Sequence, residues 1–415
     1  MPLATADGLS PSAQLGKQLF FEKGLSASGA LACATCHDPT HAYGPPNDLA
    51  VQLGGPGMNQ SGTRAAPSLR YKEYTPPFAD LLDNPDGVSA PGPGGGFTWD
   101  GRAATLAEQA RVPLLSPVEM GNESAAALVE RLLASPSASR FRQAFGADPR
   151  RDPEAALDAV GKALQAFQLE DPSFHPYSSK YDLFVGNKIG GDLTPAEVRG
   201  MHLFSDVNKG NCTSCHFPGA GLNGSSAMFT DYSYEAIGAP RNRELPVNAD
   251  SQYYDLGLCG PARTDHPALP GVPNAFCGMF KTPTLRNVTT RSVFFHNGVL
   301  HSLEQVLRFY NTRDTRPELW YPTVGGKAKA ANDRGFPTYG LITTQSVGGK
   351  VDKYDDLPRA FRSNIDAQMP LDGRKAGSAP ALSEQNIADL LCFLDTLNDD
   401  YQPPAKPKTS GPCVD

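Results

Sequence analysis

Apolar residues recur with helical spacing in several well-separated stretches, and polar residues fill the positions between them. In "LAEQARVPLL" (106–115), "ESAAALVERLLA" (123–134) and "PEAALDAVGKALQAFQLE" (153–170) they fall at i, i+3 and i+4, the stripe that one buried helix face needs. "SLEQVLRFY" (302–310) and "SEQNIADLLCFLDTL" (383–397) carry the same period. Runs with the alternation of a half-buried strand are few. The pattern also repeats on a larger scale: "LSPSAQLGKQLFFEKGLSASGALACATCH" (9–37) and "LTPAEVRGMHLFSDVNKGNCTSCH" (193–216) share one plan. Each opens on a hydroxyl N-cap followed by Pro at the first helical position, Ser10–Pro11 and Thr194–Pro195, and Glu197 completes a capping box in the second. Each stripe ends in Leu-Phe, and a short Gly-bearing loop then leads to Cys-x-x-Cys-His. Two copies predict two similar domains in a mostly α chain with long ordered loops and little β. The expected layout is 1–170, a linker over 171–192, 193–400, and a Pro-rich tail over 401–415.

Composition narrows this picture. The 415 residues allow two cores of ordinary size, and 40% hydrophobic with 20% charged residues suits a soluble globular chain. The 41 Gly and 38 Pro fit long connections between the helices. A formal charge of −7 argues against nucleic acid or an anionic membrane surface as the main partner. No run approaches the length and apolarity of a membrane-spanning helix. The opening "MPLATADGLSPSAQ" has neither the basic nor the apolar region of a secretion signal. That leaves a cytosolic protein or one whose signal has been removed.

The chemistry lies in the two Cys-x-x-Cys-His motifs, Cys33–Cys36–His37 and Cys212–Cys215–His216. Covalent haem attachment needs two thiols spaced to meet two vinyl groups, with an imidazole beside the second thiol to reach the iron. The rival is a structural zinc site built from two Cys-x-x-Cys knuckles. Two matches, each behind a matching helix, favour haem c. His37 and His216 are then the iron ligands on one face of each haem. Four of the 8 cysteines remain, and an even remainder in an oxidising compartment suggests disulfides. The expected pairs are Cys259–Cys277, which closes one loop, and Cys392–Cys413, which pins the tail; buried free thiols are the alternative.

Between and after these motifs stand "FTWDGRAATLAEQARVPLLSPVEMG", "FKTPTLRNV" and "FFHNGVLHSLEQVLRFY", in that order. With the two Cys-x-x-Cys-His motifs they resemble the bacterial di-haem cytochrome c peroxidases and the related MauG-like enzymes over roughly residues 8 to 400. The resemblance implies two cytochrome c-like domains, each with one covalent haem, in a periplasmic protein whose signal is absent from this sequence. It puts Glu119 of "PVEMG" over the open face of the first haem, where a proton must move during peroxide cleavage. Gln109 matches a distal amide, and Trp99 matches a residue that relays electrons between the haems. Trp320 has no such match and reads as core packing.

Departures from the family pattern are informative. Ordinary members carry a Met fourteen residues after the His of their "FH-G" motif, but counting from His296 leads here to Tyr310. A tyrosine there matches the MauG-like enzymes, MbnH among them. By periodicity alone Tyr310 would only extend a core stripe with Leu303, Val306 and Leu307. As an iron ligand a phenolate favours ferric and higher-valent iron, whereas a thioether favours the reduced metal. The loop "LGGPGMNQSGTRAAP" lacks the distal His of many peroxidases, which predicts an open first haem, with Met58 the candidate to cap it. Ala65 replaces an Asn ligand of the family's calcium site, although the carbonyls of Arg291 and Val293 keep Ca2+ a candidate.

The function implied is an oxidase that uses hydrogen peroxide to form a high-valent, bis-Fe(IV)-type state. That state would oxidise a residue, by resemblance Trp, of a partner protein over long range. The alternatives are a conventional peroxidase fed by a small cytochrome or cupredoxin, and a non-catalytic electron carrier.

Overall fold

A computed structural model describes residues 8–404 apart from 88, 147, 221–225, 269–273, 323–329, 332–336, 339–350 and 372, together with 411, 413 and 414. The remainder of the tail, 405–410 with 412 and 415, lies outside the described residues. The chain forms two compact units: residues up to Phe78 with Gly95–Pro176, and Ala79–Gly94 with Tyr177 onward.

The first unit holds α1 (Pro11–Phe20), the single turn α2 (Cys33–Cys36), α3 (Leu106–Leu115), α4 (Ala125–Ala134), α5 (Ala138–Phe145) and α6 (Pro153–Glu170). The expected caps are made. Ser10 accepts from the Ala13 amide at 3.1 Å, and Thr105, Ser124 and Asp152 cap α3, α4 and α6 in the same way. The buried stripes of α1, α3, α4 and α6 close one core. At its centre Phe20 meets Phe167 at 5.6 Å, and Tyr43 stacks on Phe174 at 3.9 Å. α1 crosses α6 at Gly16, where a side-chain carbon would collide with the Ala163 carbonyl. α5 was not among the expected helices; its Phe141 is buried in the core.

The second unit repeats the plan with α7 (Lys180–Val185), α8 (Pro195–Ser205), α9 (Leu303–Thr312) and α10 (Glu384–Asp395). Thr194 and Glu197 form the capping box, and Lys180 donates to the same Glu197 carboxylate at 2.6 Å. α8 crosses α10 at Gly200, at the same place in the repeat as Gly16. Phe204 meets Phe393 at 5.3 Å and Phe229 at 6.1 Å, so the aromatic centre is repeated as well. Truncating any of these rings would cost roughly 3–5 kcal/mol. Both disulfides form, Cys259–Cys277 and Cys392–Cys413.

Among the described residues sheet is confined to four two-stranded pieces. One of them, Ala79–Leu82 with Gly92–Gly94, belongs to the second unit although it interrupts the first in sequence. Long-range contacts put it there: Gly94 bridges to Ser233, Asn84 donates to Asp231 at 3.0 Å, and His266 meets Asp80 at 2.9 Å. The 171–192 stretch, expected as a linker, contains the division between the units. Phe174 is buried in the first, α7 belongs to the second, and the division falls after Pro176.

Candidate functional site

The first Cys-x-x-Cys-His begins on α2, and the His37 amide donates to the Cys33 carbonyl at 2.9 Å. The following loop closes through Asp38 and Gly44 and turns Tyr43 into a left-handed conformation, φ 55°. That turn aims the Tyr43 carbonyl at His37, whose Nδ1–H donates to it at 3.1 Å. The bond selects the tautomer with the lone pair on Nε2 and fixes the ring plane, as the second shell of a ligating histidine does.

The second motif uses the same device. The His216 amide donates to the Cys212 carbonyl at 2.8 Å, and His216 Nδ1–H donates at 3.0 Å to the carbonyl of Phe229. Phe229 is again left-handed, φ 51°, although non-glycine residues rarely sit there. Burial pushes the His216 imidazole down to about 4, which keeps it neutral and able to bind a metal.

Opposite these shared parts the two sites differ. Around the first, burial pushes the Cys33 thiol up to about 12 and Cys36 up to about 11, and the Glu119 carboxylate adds to both shifts. Glu119 therefore lies within electrostatic reach of this motif. Its backbone is held by amide bonds from Gly55 to its carbonyl at 2.8 Å and from its own N–H to Ser116 at 3.1 Å. Glu119 is exposed by area, yet protein wraps its carboxyl closely enough to push the pKa up against a Ser116 hydrogen bond and the Arg102 charge. Arg102 also pairs with Asp100 at 2.8 Å, as does Arg64, and Thr98 donates to Asp100 at 2.5 Å. Burial works against the Asp100 carboxylate, but the two guanidiniums hold it down to about 2. Between Thr98 and Asp100, half-buried Trp99 donates Nε1–H to the Ala65 carbonyl at 2.8 Å. Gln109 is half-buried on α3, where its backbone N–H donates to the Thr105 carbonyl at 2.9 Å. Met58 is left-handed at φ 58° and half-buried against the first core.

In the second site Tyr310 projects from α9. Burial, then the Cys215 and Cys212 sulfurs and the Asp366 carboxylate, push its phenol up, and Tyr310 and Cys212 pack against the same core. Three carboxylates gather there. Burial, then Asp366 and Asp231, push Glu235 up to about 8, and Glu235 and Asp231 in turn raise the Cys215 thiol. Neither Arg102 with its Asp100 partner nor this acidic group was read from the sequence. Arg102 and Asp100 stand within the quoted "WDGRA" and were open to view; the three acids are scattered and gave no signal.

The family described as di-haem cytochrome c peroxidase matches residues 10–189. The methylamine utilization protein MauG of Paracoccus denitrificans is 36% identical, over 73% of this chain and 75% of that protein. The chain belongs to the di-haem cytochrome c peroxidase and MauG family. The crystal structure of the diheme peroxidase BthA from Burkholderia thailandensis superposes with a TM-score of 0.79 at 38% identity, covering 96% of this chain and 90% of that one. A MauG-like protein associated with microbial copper homeostasis shares the fold, with a TM-score of 0.58 at 23% identity over 96% of this chain and 93% of that one.

Members of this family are haem-dependent oxidoreductases of the peroxidase type, and membership implies two haem c groups. The residues fit them. Four thiols pair as disulfides, whereas Cys33, Cys36, Cys212 and Cys215 remain thiols. These four are half-exposed by area yet wrapped by protein, as walls of a pocket are. Among the described residues no three His, Cys, Asp or Glu side chains are placed to hold a metal ion. Among those residues, too, no helix is long and apolar enough to cross a membrane.

Proposed function

We propose that the protein uses hydrogen peroxide to oxidise a residue of a partner protein, by resemblance a Trp, outside the cytoplasm. The observation that carries this reading is the buried Tyr310 phenol, packed against the same core as Cys212 and within electrostatic reach of both second-motif sulfurs, where a peroxidase that relays electrons needs no phenol. When bound, the haems supply the redox chemistry, taking two oxidising equivalents from each peroxide. Glu119 does the proton work: its carboxylate takes the proton from the inner oxygen of peroxide and returns one to the outer oxygen, which leaves as water. Gln109, on the helix that leads to Glu119, is the candidate to steady the bound oxygen. Trp99, fixed by its bond to Ala65, passes an electron so that the second site shares the oxidation. His37 and His216 ligate the irons, and Tyr310 completes the second site. Its phenol resists ionisation among sulfurs and carboxylates, so a phenolate there requires a cation such as ferric iron beside it.

The test is one equivalent of hydrogen peroxide added to the fully oxidised protein, followed by stopped-flow optical and near-infrared spectroscopy. A long-lived species in wild type that is lost in Tyr310→Phe supports the reading, and identical products in both sink it. The similarity to a diheme peroxidase supports a second reading, peroxide reduction with electrons from a small cytochrome or cupredoxin. Fast steady-state turnover with such a donor would favour it.

A further inference from the structure

Trp320 read from sequence as packing, but the structure sets it at the end of a line of rings that begins at Tyr310. Tyr310 meets Phe309 at 5.9 Å between centroids, and Phe309 meets Trp320 at 5.4 Å, both edge to face. The Trp320 indole is 5% exposed, so it is buried but reaches the surface. Its Nε1–H donates to the Thr312 hydroxyl at 3.0 Å, which in turn donates to the Arg308 carbonyl at 2.5 Å.

We propose that Trp320 is an electron donor to the second site: with no substrate present it surrenders an electron through Phe309 and Tyr310, and so limits how long the peroxide-oxidised protein lasts. This rests on the function proposed above. Three features single out Trp320 among the aromatic residues of this core. Phe309 has neither a heteroatom nor an electron-rich ring and serves only as a contact. Tyr321 must lose its proton to be oxidised, and its hydroxyl donates at 2.5 Å to the Gly238 carbonyl, which is no base. Tyr354 donates to the Asp314 carboxylate at 3.1 Å, but Arg313 and Lys353 hold that acid down to about 2 against burial, which makes it a weak base. The same cations lie over the Tyr354 ring, Lys353 at 4.8 Å and Arg313 at 5.4 Å, and oppose a positive charge on it. An indole can give up an electron and keep its proton, and Thr312 is a hydrogen-bond acceptor suited to that state.

The balance is complete with peroxide as oxidant. One electron leaves the indole and cancels one oxidising equivalent, with no bond broken and the proton retained on Nε1. Loss of a second electron, addition of water and release of two protons leave a hydroxylated indole. Overall, one tryptophan and one hydrogen peroxide give one hydroxytryptophan and one water.

The experiment treats the two-haem protein, wild type and Trp320→Phe, with a few equivalents of hydrogen peroxide and no substrate. Decay of the oxidised spectrum is timed, and the peptides bearing Trp99 and Trp320 are weighed by mass spectrometry. We expect one added oxygen on the Trp320 peptide in wild type and a several-fold longer-lived oxidised state in the variant. Thr312→Val, which keeps the ring but removes its hydrogen-bond acceptor, should also prolong that state and guards against misfolding of the Phe variant. Unchanged lifetimes in both variants with an unmodified Trp320 peptide would overturn the inference while leaving the proposed function intact. A wild type that forms no oxidised species would overturn both.

Discussion

The two units repeat one scaffold and then part company inside it. Both present Cys-x-x-Cys-His after a capped helix that crosses its partner at a glycine, Gly16 or Gly200. Both anchor the histidine on the carbonyl of a left-handed aromatic residue, Tyr43 or Phe229. The groups facing the motif differ. The first has one raised carboxyl, Glu119, with the Arg102 cation near it. The second has a phenol, Tyr310, among the carboxylates of Asp231, Glu235 and Asp366. On the function proposed above, the shared parts would hold a haem and the residues opposite them would decide what it does: move a proton on one side, tolerate positive charge on the other.

The largest break in this comparison should come from Glu119→Gln. It removes the only proton carrier assigned to the first site and should slow reaction with peroxide by roughly 10²–10⁴-fold, the usual range for a general acid–base group. Stopped-flow rates across pH sharpen the point. The carboxylate is the active form and its pKa is raised, so the wild-type rate should climb with pH through a value above the usual carboxylate range. The Gln variant should show no such climb.

Asp100→Asn comes next. It strips a fully buried charge from Arg64 and Arg102 and should cost about 3 kcal/mol of stability in denaturant unfolding. Because the folded Asp100 pKa is depressed to about 2 from 3.8, this contribution is complete above the unfolded value and is lost as pH falls through the folded one. The second haem spectrum should be untouched.

Glu235→Gln probes the other side. Ionisation of Glu235 near pH 8 adds negative charge beside Cys215 and favours the ferric state. The potential of the second haem should therefore fall as pH rises through about 8 in wild type, and potentiometry on the variant should find that slope missing. Ser10→Ala and Thr194→Ala are milder, about 1 kcal/mol each. Thr194→Ala should cost more, because its capping box is tied to Lys180 through Glu197. The smallest effect expected is from a calcium chelator. A small fall in thermal stability on chelation would support Ca2+ on the Arg291 and Val293 carbonyls, the latter keeping a lone pair beside its 3.3 Å bond from the Arg291 guanidinium, and no change would remove Ca2+ as a candidate.

Much was decided by sequence alone, wherever the deciding interactions are local. Caps, stripes and the period of α1, α3, α4, α6, α8, α9 and α10 follow from residues within a few positions of one another, and those helices form close to where the pattern put them. The attachment motifs are equally local, since two thiols and an imidazole within five residues carry their own geometry. Tertiary structure decided what depends on residues distant in the chain. It sent the hairpin of residues 79–94 to the second unit through contacts with Ser233, Asp231 and His266. It turned Tyr43 and Phe229 left-handed to aim their carbonyls, gathered Asp231, Glu235 and Asp366 near Cys215, and set Trp320 behind Tyr310. Burial and through-space charge have no period in a sequence; they exist only once separate segments have packed together.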